Sequence, residues 1–394
     1  MVRVPGFRAA GVHCGVKARG LDLALIHSEE PAAIAGVFTR STVVGAPVEL
    51  SRERVRAGRA RAVVANSGCS NVAMGARGLR DARAMTAEAA RVLGIPAREV
   101  FVASTGVIGE PLPMPQVRKG IRAATEALSP AGIPRAARAI MTTDTFAKVA
   151  QTRVEIAGRP VTVAGIAKGS GMIEPDMATM LSFVLTDAAA SPAYLRRVLR
   201  ATTGQTYNRL TVDGEGSTSD MVLLLANGHA QNPALRGPRS RDAATFEAAV
   251  HEVATALTRD LARDGEGATK LIDVLVRGAA TAAEAERAAR RIANSLLVKT
   301  AIFGRDPNWG RILQTLGAAR IRLRLPRTEV RLAGVTVFRN GSSAGPAARR
   351  RAQKRLTSSE VKIEVDLGAG SGRATLWTCD LTYDYVKINA EYTT

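Results

Sequence analysis

The chain is short of the residues on which metal, disulfide and base-stacking chemistry depend. Three cysteines, Cys14, Cys69 and Cys379, occur in 394 residues, and their spacing fits neither a disulfide framework nor a paired-cysteine metal site. The four histidines, His13, His27, His229 and His251, stand apart, with no HExxH pair on a helix face. Adjacent side chains in an extended segment point apart, which argues against a couple between His13 and Cys14. Aromatic residues make up 4% of the chain, few for stacking a run of bases. No apolar run approaches the ~18 residues that span a bilayer. The opening Met1-Val-Arg-Val-Pro-Gly-Phe-Arg8 lacks the apolar core of a signal peptide. The expectation is a cytoplasmic protein with no bound metal ion and no membrane partner.

Acidic residues are also scarce beside basic ones, 35 against 55, for a formal charge of +20. Such a surplus would suit phosphate binding. Yet the arginines are scattered through 52–61, 196–200, 236–241 and 349–355, on segments that read as solvated faces and loops. No helix-turn-helix, zinc-finger or RNA-recognition signature accompanies them, so nucleic acid is not expected as a partner. Nucleotide loops are missing too. Gly169-Ser-Gly171, Gly214-Glu-Gly216 and Gly368-Ala-Gly370 lack a third glycine and a Gly-Lys-Ser/Thr ending. No Gly-x-Ser-x-Gly elbow marks a serine hydrolase.

What the chain does have is 46% hydrophobic residues and 36 glycines spread along its length, the composition of a globular protein with one large or two ordinary domains. Apolar stretches at 21–26, 35–38, 62–65 and 100–103 read as strands. Val154-Glu-Ile156 and Val161-Thr-Val163 read as a hairpin joined by Ala157-Gly-Arg-Pro160. Helices are expected at 81–93, 115–129, 135–141, from Ser191-Pro192, at 243–263 with Phe246, Val250, Val253, Leu257 and Leu261 as its stripe, and at 345–356. Thr281 and Glu284 have the spacing of a capping box. Ile321–Leu325 and Val361–Leu367 alternate at period 2 like strands, and 368–372 looks like a hairpin turn. Strands alternate with helices, but the hairpin signals and the β-rich end argue against one parallel sheet; the expected fold class is a mixed α/β sandwich.

Ser/Thr/Gly loops follow strands at 104–109, 141–145, 168–179, 212–220 and 264–269. Any one of them is a turn by default. Together, with Lys168, Glu215 and Glu266 set inside glycine turns, they suggest a small polar pocket, in which Lys168 and Glu266 would suit an α-amino acid. The segment Lys168-Gly-Ser-Gly-Met-Ile-Glu-Pro-Asp-Met-Ala-Thr-Met-Leu181 runs from such a turn into the apolar Met180-Leu-Ser-Phe-Val-Leu185. Local chemistry alone reads it as a glycine turn before a buried strand.

That segment closely resembles the processing segment of the ornithine acetyltransferases, the bifunctional glutamate N-acetyltransferases of arginine biosynthesis. The resemblance spans nearly the whole chain. It includes Gly6-Phe-Arg-Ala-Ala-Gly11, Gly36-Val-Phe-Thr39, Ser104-Thr-Gly-Val-Ile-Gly109, Met141-Thr-Thr-Asp-Thr145, Asp264-Gly-Glu-Gly-Ala-Thr-Lys270, Leu297-Val-Lys-Thr-Ala-Ile302, Asp306-Pro-Asn-Trp-Gly-Arg311 and Ile388-Asn-Ala-Glu-Tyr-Thr-Thr394.

The resemblance implies the ornithine acetyltransferase form of the α/β sandwich and self-cleavage between Ala178 and Thr179. The implied products are an α chain, 1–178, and a β chain, 179–394, with about 280–394 as a smaller β-rich C-terminal α+β region. Thr179 is then the nucleophile, and Thr105 and Gly106 stabilise the oxyanion. The implied substrate contacts are Thr142 (with Thr143 a near alternative), Lys168, Thr179, Glu266, Asn389 and Thr394. Charge suggests Lys168 for the α-carboxylate and Glu266 for the ornithine side-chain ammonium. The implied substrates are N2-acetylornithine and L-glutamate, the implied assembly is an α2β2 heterotetramer, and no cofactor is bound. Acetyl-CoA serves some family members as a co-substrate, and no short motif separates these from the rest. A self-processing aminopeptidase or amidase, with water as acceptor, is the alternative reading. The chain departs from the family pattern at Arg40-Ser-Thr-Val-Val44, at Cys69-Ser70, and at Glu215, Gly216 and Ser219, and residues 231–242 look like a surface insertion.

Overall fold

The computed structural model describes residues 2–174 and 180–391. The expected cleavage site, Ala178 and Thr179, and the terminal Thr394 lie outside the described residues. Two compact units divide the fold. One takes the chain up to Asn208 together with Gly216–Thr258; the other takes Arg209–Glu215 and the chain from Arg259 onward. The second unit therefore contains strand 271–279, which precedes the expected C-terminal region of 280–394.

The first unit is built on a mixed eight-stranded sheet of β1 (Phe7–Val12), β2 (Leu23–Phe38), β3 (Arg59–Cys69), β4 (Val100–Val107), β5 (Lys148–Ile156), β6 (Arg159–Lys168), β7 (Leu181–Thr186) and β8 (Met221–Ala226). The order is β4-β3-β2-β8-β7-β6-β5, with β1 also paired to β2. The two apolar stretches expected as separate strands at 21–26 and 35–38 are the two ends of β2. A register irregularity between His27 and Ala32 lets one strand serve different neighbours: Leu23–Ser28 pairs with β1, and Ala33–Phe38 with β8.

Alternation at period 2 sends side chains of one strand into different cores. Val63 and Ala65 of β3 join Phe101, Phe183 and Leu223, whereas Ala62 and Val64 join Val100, Val102, Met85 and Ile121. Burial on both faces explains why these strands read as continuous apolar runs. The covering helices are α1 (Ala46–Arg54), α2 (Gly75–Leu93), α3 (Met114–Glu126), α4 (Ile133–Ala139), α5 (Pro192–Gln205) and α6 (Arg241–Arg263). Ser191 caps α5 by accepting from the Tyr194 N–H, an interaction of about 1 kcal/mol. The β5–β6 hairpin forms as expected, with Ala157 at φ +49 and Gly158 at φ +74, the paired positive φ values of a tight hairpin turn.

The second unit holds β9 (Leu271–Ala279), β10 (Glu329–Leu332), β11 (Val335–Arg339), β12 (Ser342–Ser343), β13 (Glu360–Asp366) and β14 (Gly372–Cys379), with α7 (Ala282–Ala293), α8 (Leu296–Phe303), α9 (Trp309–Gly317), α10 (Pro346–Arg355) and α11 (Tyr383–Glu391). Thr281 caps α7, accepting from the Glu284 N–H, while the Glu284 carboxylate takes the Arg322 side chain. The helix lays Ala285, Ala288, Ala289 and Ile292 against the sheet, and small side chains permit that close approach.

Two expectations fail in this unit. Residues 321–324 form no strand; Ile321 and Leu323 pack against the core, so their alternation reports a half-buried face without a ladder. Residues 368–372 do not close a hairpin, because β9 lies between β13, its parallel neighbour, and β14, its antiparallel one. The connection crosses the end of β9, where the Ala369 N–H donates to Gly278 O at 2.7 Å.

Gly132 sits where β1 exchanges hydrogen bonds with Ser129, at 2.9 and 3.0 Å. A Cβ at 132 would lie 1.7 Å from Ala9 O, whereas one at Gly204 would meet nothing within 4 Å. Gly132→Ala should destabilise the fold by about 1–3 kcal/mol or more. Gly204→Ala, in an exposed helical turn, should be neutral or stabilising by up to about 1 kcal/mol. Thermal unfolding midpoints of the two variants check this; a Gly132→Ala midpoint equal to wild type would contradict the packing described.

Candidate active site

The polar loops of the first unit meet where β3 and β4 end. These strands run parallel, with Ser67 opposite Thr105 and Gly68 opposite Gly106. Gly106 has φ +126, and a Cβ on it would lie 2.3 Å from the Gly68 carbonyl carbon. No other residue fits there, so close backbone approach fixes the Thr105-Gly106 pair. The Asn66 side chain braces the same corner, donating to Cys69 O at 2.8 Å and accepting from the Ser104 hydroxyl at 2.6 Å.

Lys168 brings the next two loops together. It ends β6, opposite Leu181 at the start of β7. Its buried side chain donates from Nζ to the Thr142 hydroxyl at 2.8 Å and to the Thr105 hydroxyl at 3.3 Å. An ammonium held against two hydroxyls is a fixed positive charge suited to a carboxylate or a developing oxyanion. Thr143 instead shares a 2.6 Å hydrogen bond with Ser170.

Asp144 anchors this group from below. One carboxylate oxygen accepts from Lys148 Nζ at 2.6 Å and from the Gly169 N–H at 2.7 Å; the other accepts from the Thr142 N–H at 2.9 Å. Both side chains of the Lys148–Asp144 pair are fully buried, and Lys148 also lies over the Phe146 ring at 4.9 Å. Burial alone would raise the Asp144 pKa, but the charges of Lys168 and Lys148 and the Gly169 N–H outweigh it and hold it at about 2. Lys17 adds a further contact, donating to Met141 O at 2.9 Å. Its loop is shaped by Asp22, which accepts from the N–H groups of Cys14, Gly15, Val16 and Lys17.

On the other side of β7, Asp220 is buried just before β8. Burial holds its carboxyl pKa well above the usual carboxylate range, against the opposing pull of Ser217, Lys168 and the Met180 N–H.

In the second unit Glu266 and Asn389 are brought together. Asn389 Nδ2 donates to the Glu266 carboxylate at 2.8 Å and to Tyr385 O at 3.0 Å. Asp380 accepts from the Thr269 and Lys270 N–H groups at 2.8 and 2.9 Å, Thr382 donates to Gly267 O at 2.6 Å, and Tyr385 donates to Asp213 at 3.3 Å. Loop 264–270 is thereby tied to α11.

The thiols are poor nucleophiles. Burial, aided by Asp22, pushes Cys14 up to about 12; burial raises Cys69 and takes Cys379 to about 11. Among the described residues no group of three or more His, Cys, Asp or Glu is placed to hold a metal ion, and no helix is long and apolar enough to cross a membrane. The roles of Asp144, Lys148 and Asp220 escape a reading by motif. The available signals were an acid inside a Ser/Thr/Gly loop with a lysine four residues on, and an acid abutting the wholly apolar Met221–Leu225.

The ArgJ family matches residues 8–394. The arginine biosynthesis bifunctional protein ArgJ of Symbiobacterium thermophilum is 51% identical, over 99% of this chain and 97% of its own. That of Geobacter sulfurreducens is 48% identical over the full length of both. The crystal structure of the Bacillus halodurans protein of the same name superposes with a TM-score of 0.52 at 44% identity, covering 54% of this chain and 100% of its own.

Asp144→Ala should take the carboxylate away from a buried lysine and destabilise the protein by about 3–5 kcal/mol. A carboxylate whose pKa falls from 3.8 to about 2 on folding contributes stability that is full above pH ~4 and is lost as pH drops toward 2. That part of the acid limb should be missing from the variant, as read from unfolding midpoints against pH.

Proposed function

The chain belongs to the ArgJ family and is an acyltransferase of arginine biosynthesis, and from that premise we propose that it moves acetyl from N2-acetylornithine to L-glutamate through Thr179. The observation that carries this reading is the convergence of Thr105, Thr142 and Lys168 at the end of β6. These residues come from three separate segments.

The precursor first cuts itself. Thr179 Oγ attacks the Ala178 carbonyl, the acyl group shifts from nitrogen to oxygen, and water hydrolyses the ester to leave chains 1–178 and 179–394. The Bacillus halodurans relative supports this division, since its whole crystallised chain matches 54% of this one, a share close to that of residues 179–394. The freed α-amino group of Thr179, with an intrinsic pKa of about 7.7–8.0, suits a general base near neutral pH. In transfer it takes the proton as Thr179 Oγ attacks the acetyl carbonyl. Thr105 and the Gly106 N–H receive the oxyanion. The C–N bond breaks, ornithine leaves with the proton on its α-amine, and acetyl remains as the Thr179 ester. The glutamate α-amine then attacks that ester, which releases N-acetylglutamate and restores Thr179.

Lys168 holds the substrate α-carboxylate beside Thr142, and Glu266, Asn389 and Thr394 receive the ornithine end. Acetyl-CoA is a second acetyl donor for glutamate, in keeping with the bifunctional names of the relatives. The two fragments assemble as an α2β2 heterotetramer in the cytoplasm.

Intact mass should show two fragments split between 178 and 179, with Thr179→Ala remaining whole and inactive. N-acetylornithine plus glutamate should yield N-acetylglutamate, and acetyl-CoA plus glutamate should release free thiol. An uncut wild type that still transfers acetyl would sink the mechanism; deacetylation with no N-acetylglutamate would move the activity to an amidase. Lys168→Met should raise KM for N-acetylornithine by about 10-fold or more, reflecting a lost charge-assisted contact.

A further inference from the structure

Lys17 brings a second ammonium group to the edge of the candidate site. Its stem crosses the Thr105-Gly106 corner: a Cβ on Gly68 would lie 2.6 Å from Lys17 Cγ, and Gly68 faces Gly106 across the β3–β4 ladder. From there Nζ donates to Met141 O at 2.9 Å. Lys168 Nζ donates to the hydroxyl of the next residue, Thr142, at 2.8 Å, so the two cations meet consecutive residues of one loop. The acids around them are occupied. Asp22 accepts from the N–H groups of Cys14, Gly15, Val16 and Lys17 at 2.6–3.0 Å. Asp144 is taken by Lys148 and by the Gly169 and Thr142 N–H groups. Among the described residues Lys17 Nζ meets no carboxylate, and its hydrogen-bond partner is a backbone carbonyl. An ammonium has three donors, which leaves two for a ligand. The side chain is half-buried. Burial lowers its pKa, and Lys168 adds to that fall against the pull of Asp22 and Asp144, so a bound anion would favour the charged form.

We propose that Lys17 selects the acceptor, its ammonium taking the side-chain carboxylate of L-glutamate while Lys168 holds the α-carboxylate. This rests on the reading of N2-acetylornithine as donor and glutamate as acceptor. The two substrates share an α-carboxylate and differ at the other end, where ornithine carries an ammonium and glutamate a second carboxylate. A site that serves both in turn needs an acid for one and a cation for the other. Glu266 has the sign that suits ornithine and the wrong sign for glutamate. Lys17 has the sign that glutamate requires, and it is bonded one residue away from the Lys168 contact. Asp22 holds the loop that carries it through four backbone N–H groups, so little ordering is left to be done on binding. The bonds made and broken in transfer are unchanged; Lys17 binds and orients the acceptor, and so acts in the second half-reaction.

In a double-displacement reaction kcat/KM for each substrate reports its own half-reaction. Lys17→Met should lower kcat/KM for glutamate by about 10–100-fold relative to that for N-acetylornithine, the loss of one charge-assisted hydrogen bond. L-Glutamine has the same shape without the charge, and it measures the selection directly. The preference for glutamate over glutamine should shrink by a similar factor in Lys17→Met and be kept in Lys17→Arg. Should the methionine variant fail to fold, Lys17→Gln, which keeps a donor without the charge, decides. Equal losses for donor and acceptor would reduce Lys17 to a structural tie, and an undiminished preference for glutamate would likewise overturn its role. A wild type that forms no N-acetylglutamate would overturn the reading of the acceptor, and this assignment with it.

Discussion

The fully buried pair of Asp144 and Lys148 is the interaction on which the candidate site depends. A carboxylate and an ammonium taken out of water are tolerated only when the remaining lone pairs are used, and Asp144 uses them on the Thr142 and Gly169 N–H groups. That requirement joins loop 141–145 to the end of β6, and so sets Lys168 between the hydroxyls of Thr142 and Thr105. A neutral residue in place of Asp144 would leave Lys148 without its carboxylate and release both loops at once. The site geometry is a consequence of the electrostatics beneath it.

Basic residues elsewhere are handled differently. Carboxylates are the limiting partner in this chain, and several are shared: Glu88 takes both Arg91 and Arg122, and Glu360 takes both Arg259 and Arg263. These guanidinium groups keep much of their surface in water, where a pair is worth about 0–1 kcal/mol. These shared pairs lie on helix faces and strand ends.

Strong periodicity made most elements legible. The stripe of α6, the Ser191 cap and the wholly buried β7 and β8 follow from local rules that tertiary packing reinforces. Two errors of pairing share one cause. Alternation at 321–325 and glycines at 368–372 describe faces and turns, but neither encodes which strand lies alongside, and β9 takes the place between β13 and β14. Legible by resemblance were the grouping of Thr105, Thr142 and Lys168 within the first unit and that of Glu266 with Asn389 within the second. The buried settings of Asp144 and Asp220 were not, because an acid in a polar loop becomes distinctive only when its neighbours in space remove the water around it.

The two sides of the proposed cut are anchored separately. Upstream, Asp144 holds the Gly169 N–H; downstream, the Met180 carbonyl accepts from the Met221 N–H at 2.9 Å. Lys168 acts electrostatically on Asp144 and on Asp220. The strands that carry these ends are paired through ladders of their own, with Lys168 opposite Leu181 in an antiparallel ladder and β7 parallel to β8 on its other edge. Cutting the chain between them removes one covalent link and no ladder hydrogen bond. A self-processing enzyme needs that property, because the arrangement that performs the cleavage must survive it to perform the transfer. Anchoring each end to its own strand partners would supply it without relying on the connection between them.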